Sequence, residues 1–366
     1  MVRRRFFRHC GTQGLVVVSQ PGKWAQWSYK VLDLFCGSGG SSWGARAAGA
    51  RIVCGVDADA TARNAYAENF PEARALRFKM TRNTRPSEFG DLGRINLLLA
   101  SPECTNHTIA RGSRPINHHS RATARFVLNF AAVLLPRWIV IENVTQMKAW
   151  KGYDDLVGEL RGLEYKVLPL TLDARSFGVP QQRRRLFILC DRERDPVSPV
   201  PAVPPTLSSV ADILDPPGTW RSTPLRREER AKATLERADK AIAALGEGVP
   251  FLIVYYGSDA SGGWQSLDRP LRTVTTIDRF GLVTWEDGVP QLRMLQVPEL
   301  TRAMGFGSGY RLDSVGRRRD RIRLLGNGVA PPVMEAVVRT LTAAPGEVTA
   351  AGRQNKDAAE GPRSGG

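Results

Sequence analysis

The stretch from Ile95 to Thr108 reads INLLLASPECTNHT, an apolar strand that stops in a polar turn carrying one cysteine. INLLLA shows none of the alternation of a half-exposed strand, which predicts burial on both faces, as in the parallel sheets of α/β domains. Ligands of such sheets gather where strands end. Cys104 stands just past that end, after Ser101, Pro102 and Glu103, where a thiol can meet a ligand. Thiolate is the nucleophilic form, and a free thiol is ionised to only a few per cent at neutral pH, so a catalytic Cys104 needs an electropositive surrounding. A loop cysteine with no role would give the same stretch.

Outward from this strand the pattern is strand, loop, helix, repeated. KVLDLF from Lys30 is an apolar strand, CGSGGSSWGARAAG a glycine-rich turn into a helix, and RIVCGVD a strand ending on Asp57. DATARNAYAENF opens with a capping acid, Asp59, and has helical periodicity. A vaguer strand covers Leu76 to Met80. Ser120 to Leu135 is a helix stopped by Pro136, RWIVIEN a buried strand, Leu156 to Leu163 a helix, and KVLPLTL and RRLFILC are strands. The fold class is α/β, a doubly wound, Rossmann-like domain over residues 29–194. Prolines crowd Asp195 to Pro217 and mark a boundary. Residues 195–265 form a variable lobe with an exposed helix over Arg226 to Leu245. Residues 266–343 complete that lobe through strands at RTVTT and GLVTW and return to the large domain with a helix over Pro332 to Leu341. Residues 1–28 are a basic extension and residues 344–366 a disordered tail.

The chain has 366 residues, 42% of them hydrophobic, enough for a large core and a smaller lobe. Lysine and arginine total 52 against 36 acidic residues, a net charge of +16, which favours a polyanionic partner, nucleic acid first. Five cysteines, odd in number and without a CxxC pair, exclude a disulfide framework and predict no metal site. No apolar run approaches the ~20 residues of a membrane span. A cytoplasmic protein with no membrane partner is expected.

Three further stretches can carry chemistry. FCGSGG, Phe35 to Gly40, lets backbone approach a ligand, although Ser42 stands where a dinucleotide GxGxxG would have its third glycine. Asp57, some 20 residues on, can accept hydrogen bonds from ribose hydroxyls; a tight turn plus a helix cap is the plainer reading. Glu142, Asn143 and Val144 end the strand RWIVIEN and face the same crevice as Cys104 if their strands are parallel neighbours. Gln181, Arg183 and Arg185 alternate into a strand and so share one face, suited to a phosphate, a base edge or a carboxylate.

In this order the pieces resemble the DNA cytosine-5 methyltransferases, over about Lys30 to Leu341: DLFCGSGG, VDAD, PEC, IENV, FGVPQQRRR and GNGVAPP match six ordered family motifs. The resemblance implies a Rossmann-like methyltransferase domain with a small target-recognition lobe, using S-adenosylmethionine. The cofactor would be held by Phe35, Cys36, Gly37, Ser38, Gly39, Gly40, Asp57, Ala58, Pro102, Asn327 and Val329. Cys104 would be the nucleophile, Glu142 the group on ring nitrogen 3, Arg185 a contact to the cytosine carbonyl, and Arg183 a further catalytic residue. Glu103 and Thr105 replace the usual proline and glutamine beside the cysteine, and His107 a usual aromatic. An unpaired Glu103 would raise the thiol pKa, and pairing with Arg183 would cancel that. FKMTRNT has no match for the family's acidic cofactor contact. Arg221, Arg226, Arg227 and Arg230 of the variable lobe, and the cluster Arg317 to Arg323, are candidates for DNA contact. The expected enzyme is a monomer that methylates double-stranded DNA, alone or with a cognate restriction endonuclease. The alternatives are a tRNA cytosine-5 methyltransferase, a non-catalytic nucleic-acid-binding relative and a nicotinamide-dependent oxidoreductase.

Overall fold

The computed structural model describes residues 29–102, 122–201, 208–256 and 262–344. Cys104 with its neighbours Glu103, Thr105 and His107, the basic extension and the tail beyond Ala344 lie outside the described residues.

The first lobe is built on a seven-stranded sheet of β1 (Lys30–Leu34), β2 (Arg51–Asp57), β3 (Arg74–Arg77), β4 (Leu97–Ala100), β5 (Trp138–Asn143), β6 (Lys166–Asp173) and β7 (Arg184–Asp191), in the order β3-β2-β1-β4-β5-β7-β6. β1 to β5 are mutually parallel. β4 and β5 are buried along their whole length, as continuous apolar strands covered on both faces must be. β7 runs antiparallel to β5 and to β6, a direction that the sequence reading does not specify. Ten residues separate the end of β6 from the start of β7, fewer than a parallel crossover needs. The reversal brings the first residues of β7 to the edge where β4 and β5 end.

Helices cover both faces. One layer packs α1 (Gly40–Ala47) and α2 (Ala60–Asn69) through Ala45, Tyr66 and Phe70, and the other packs α3 (Phe126–Leu134) and α4 (Tyr153–Gly162) through Phe126, Phe130, Leu156 and Leu160. Asp59 caps α2 as its sequence predicts, accepting from the Thr61 and Ala62 N–H groups.

A five-stranded antiparallel sheet, β10-β9-β11-β12-β8, forms the second lobe from β8 (Thr223–Pro224), β9 (Phe251–Val254), β10 (Trp264–Ser266), β11 (Phe280–Glu286) and β12 (Val289–Met294). α5 (Lys232–Leu245) packs on it through Ala238 and Ala241. RTVTT is not a strand of this sheet. Its Val274 is held by side chains, the N–H donating to Gln181 Oε1 at 2.9 Å and the carbonyl accepting from Arg183 Nη1 at 3.1 Å.

The chain returns through α6 (Val297–Ala303), α7 (Arg318–Asn327) and α8 (Pro331–Thr342). α8 lies against α1 with no room between them: a Cβ on Gly44 would be 2.4 Å from the Pro331 carbonyl oxygen. Val333, Met334, Val337 and Val338 of α8 join the same apolar layer as α1 and α2.

Candidate active site

The strand order reverses at β1 and β4, and the turns leaving these strands open on one cavity of about 480 Å³. Ligands of open α/β sheets bind at such a reversal. Phe35 leaves β1 in a left-handed conformation, φ +56°, unusual for an aromatic residue, and Gly37 follows at φ +54°. The Gly37 N–H donates to Asp57 Oδ2 at 2.9 Å and the Asp59 N–H to Asp57 Oδ1 at 2.8 Å, so one carboxylate at the end of β2 fastens both turns. A Cβ on Gly37 would meet nothing within 4 Å, whereas one on Gly40 would lie 2.2 Å from the Val329 carbonyl oxygen. Gly40 therefore serves backbone packing against the closing segment.

Beneath the turn, Asp33 is fully buried. Ser42 Oγ donates to its Oδ2 at 2.7 Å and contacts the Tyr66 hydroxyl at 2.8 Å, while Asp33 Oδ1 has no hydrogen-bond partner among the described residues. Burial, against the Ser42 hydrogen bond and with the Asp57 charge, pushes the Asp33 carboxyl up to about 7.

β4 and β5 supply the second wall. The Ser101 N–H donates to the Leu34 carbonyl at 3.1 Å, and Asn143 Nδ2 donates to the Pro102 carbonyl at 3.1 Å, fixing the start of the turn that leads to Cys104. Glu142 is 5% exposed, and Arg185 Nε lies 3.3 Å from its Oε1. Burial raises the Glu142 pKa; the charges of Arg185 and Arg183 and the Ser101 hydroxyl counteract it without cancelling it.

The closing segment is the third wall. Arg323 of α7 pairs with Asp59 at 2.5 Å, and Leu324, Gly326, Asn327, Gly328 and Val329 line the cavity. Burial would raise the Asp59 carboxyl, but Arg323 and the capped N–H groups outweigh it and the net displacement is downward.

Of the residues expected from the sequence, Phe35, Cys36, Gly37, Gly40, Asp57, Ala58, Pro102, Glu142, Arg185, Asn327 and Val329 come together around this one cavity. Ser38 and Gly39 do not line it: the Ser38 carbonyl accepts from the Tyr310 hydroxyl at 3.1 Å, and Gly39, at φ +95°, starts α1 where a Cβ would strike Phe70. Arg183 does not line it either. It is buried, and its Nη2 donates to the Gly326 and Gly328 carbonyls at 2.8 and 2.7 Å, so this side chain ties β7 to the closing segment while its charge acts on Glu142. The expected pairing of Glu103 with Arg183 lies outside the described residues.

Phe78, Lys79 and Met80 after β3, with Ala62 and Thr123, line the cavity, and no pattern in the sequence marks them, since FKMTRNT offers no acid. The arginine cluster is largely engaged within the protein. Arg318 donates to Asp278 and Gln296, Arg321 to the Val315 carbonyl, and Arg317 pairs with Asp320, which leaves Arg319 exposed. In the second lobe Arg226 pairs with Asp239, and Arg230 donates to the Leu225 and Pro224 carbonyls.

A parallel-rich α/β sheet with a glycine turn, a strand-end acid and a closing C-terminal segment defines a Rossmann-like methyltransferase. Residues 29–343 match the family model of the C-5 cytosine-specific DNA methylases, and the chain belongs to that family. Its members transfer a methyl group from S-adenosylmethionine to cytosine carbon 5 through a covalent cysteine adduct, and this chain is a DNA cytosine-5 methyltransferase. It is similar to the type II methyltransferases M.HgiDI of Herpetosiphon aurantiacus, 27% identical over 67% of this chain and 80% of the relative, and M.HaeII of Haemophilus aegyptius, 25% identical over 86% and 92%. The fold is shared with a DNMT2 from Spodoptera frugiperda, TM-score 0.64 at 18% identity over 86% of this chain and 99% of that one. A putative DNA modification methyltransferase from an E. coli prophage has TM-score 0.61 at 19% identity over 86% and 98%.

Proposed function

We propose that the single cavity holds both S-adenosylmethionine and a cytosine turned out of duplex DNA. The observation that carries this is the convergence on it of the glycine turn, Asp57, Pro102 two residues before Cys104, Glu142 and Asn327. The donor set fits the cofactor: Phe35, Phe78 and Met80 offer apolar surface to a flat ring, Asp57 accepts from hydroxyls, and Gly37 leaves its backbone uncovered. Bound there, the cofactor supplies an electrophilic sulfonium methyl.

The protein's own residues then have separate tasks. Cys104 Sγ, as thiolate, forms a bond to carbon 6 of cytosine, and the displaced electron pair makes carbon 5 nucleophilic. Glu142, whose pKa burial raises, gives or shares a proton at ring nitrogen 3. Arg185 holds the ring carbonyl and steadies Glu142. After methylation the carbon 5 proton leaves and the sulfur is expelled as its bond to carbon 6 breaks. Arg183 positions β7 for this work.

The chain acts on double-stranded DNA, alone or beside a cognate restriction endonuclease, a reading supported by its similarity to type II methyltransferases; we propose that it does so as a monomer. Bisulfite sequencing of DNA from cells expressing the chain will reveal the target. Duplex with 5-fluorocytosine at that target will form a stable adduct with wild type and none with Cys104→Ser. Failure of wild type to trap, with cofactor demonstrably bound, would remove the assignment.

A further inference from the structure

We infer that Lys79 reads the purine of the cofactor by donating to its acceptor atoms, so that the 6-amino group goes unread and the 6-oxopurine form of the cofactor binds as well as the adenine form. The inference rests on the cavity holding S-adenosylmethionine and cytosine together, as proposed above, and gives the cofactor's base its place there.

Strand order fixes that place. The cavity runs along the edge where the strands end, over β3, β2, β1, β4 and β5 in turn, past Lys79, Asp57, Phe35, Pro102 and Glu142. With cytosine at the β4 and β5 end, beside Glu142, the sulfonium lies next to it and the ribose further along, at Asp57. The purine is joined to the far side of the ribose. It therefore falls at the β3 end, among Phe35, Ala62, Phe78, Lys79 and Met80. The backbone there is held: the Phe78 N–H donates to the Asp57 carbonyl at 2.9 Å, the Phe78 ring packs edge-on against Phe89, and Met80 is buried in the core.

The polar groups at this end do not suit a 6-amino group, which donates and calls for an acceptor. FKMTRNT contains no acid. The three carboxylates that line the cavity are engaged or remote: Asp57 holds the Gly37 and Asp59 N–H groups, Asp59 caps α2 and pairs with Arg323, and Glu142 stands at the opposite end beside Arg185. Lys79 is exposed and forms no ion pair or hydrogen bond among the described residues, so its ammonium, which donates and cannot accept, is available to the cavity. Adenine offers it ring nitrogens, and hypoxanthine offers it the 6-oxygen in place of the amino group. The flexible lysine stem reaches either acceptor.

Titration calorimetry of the full chain with S-adenosylhomocysteine and with S-inosylhomocysteine, its deaminated form, tests this. Wild type should bind the two within about threefold of each other. Lys79→Met, which keeps the stem and loses the donors, should bind both about tenfold more weakly. Lys79→Glu supplies an acceptor and should favour the adenosyl ligand by about tenfold, a change of preference that loss of local order would not produce. A wild type that favours S-adenosylhomocysteine beyond that narrow range, a Lys79→Met variant that binds both ligands as wild type does, or a Lys79→Glu variant without preference overturns the role of Lys79. A wild type that binds neither ligand would instead overturn the underlying reading of the cavity.

Discussion

Glu142 sits at the end of a strand buried along its whole length, and burial raises its pKa from the ordinary value despite two arginines. An acid that must be protonated loses its active form as pH rises through that raised value, so the methylation rate should show a falling alkaline limb. Glu142→Gln should remove this limb and slow single turnover by about 100-fold or more, the usual span of general acid catalysis, with cofactor affinity kept within a few fold. A variant whose pH profile matches wild type would assign the limb to another group. Asp57 needs a two-part test, because its oxygens already hold the Gly37 and Asp59 N–H groups. Asp57→Ala should weaken cofactor binding by about 1 to 3 kcal/mol in calorimetry. Asp57→Asn, which keeps one acceptor, should lose less; identical losses would mean that charge alone matters there. At Arg319, replacement by alanine should lower the slope of log affinity for non-target duplex against log salt by about 0.9, one phosphate contact. Arg318 is unsuitable for that measurement, since its loss would release Asp278.

Among the elements, Gly40 and Val329 show how the closing segment packs on the glycine turn. Gly40→Ala would drive a methyl group into a backbone carbonyl at 2.2 Å, so a thermal melt should reveal destabilisation of about 1 to 3 kcal/mol or more. An unchanged melt would mean that this contact yields without cost. Strands β1, β2, β4 and β5 were legible in the sequence because burial on both faces leaves continuous apolar runs. The direction of β7 was not, because hydrophobicity carries no sign along a strand. β12, VPQLRM, escaped notice because half of it is polar or proline, and α7 because its charges hide the buried Ile322, Leu324 and Leu325. RTVTT reads as a strand and is an extended segment whose partners are the Gln181 and Arg183 side chains, a pairing that no local pattern encodes. The same holds for Arg183: its alternation with Arg185 was visible, but its three carbonyl acceptors come from residues 91 to 145 positions away.

For the molecule as a whole, Asp33 links stability to pH. Its carboxyl is pushed up to about 7 by burial, so the folded state favours the protonated form. The sign follows: this contribution to stability is complete below the unfolded carboxylate value near 4 and is lost as pH rises through about 7, a swing on the order of 4 kcal/mol. Asp33→Asn should flatten the dependence of unfolding free energy on pH between 5 and 8. Parallel curves for the two proteins would place the titration elsewhere. The positive charge of the chain acts at this scale too, drawing the protein to DNA before any base is read.

The cavity joins Gly37 and Asp57 to Val329, nearly 300 residues along the chain. On the ribosome the sheet emerges first, and α1 waits for α8 with its packing face open. At about 5 to 20 residues per second, the interval from Asp57 to Val329 is roughly a quarter of a minute to a minute. With the cofactor in this cavity as proposed, the newborn enzyme cannot take it up during synthesis, and any ligand assistance to folding comes only after α8 is released. Nascent chains stalled at residue 300 should be readily proteolysed whatever the cofactor concentration, and full-length chains should gain protection from it.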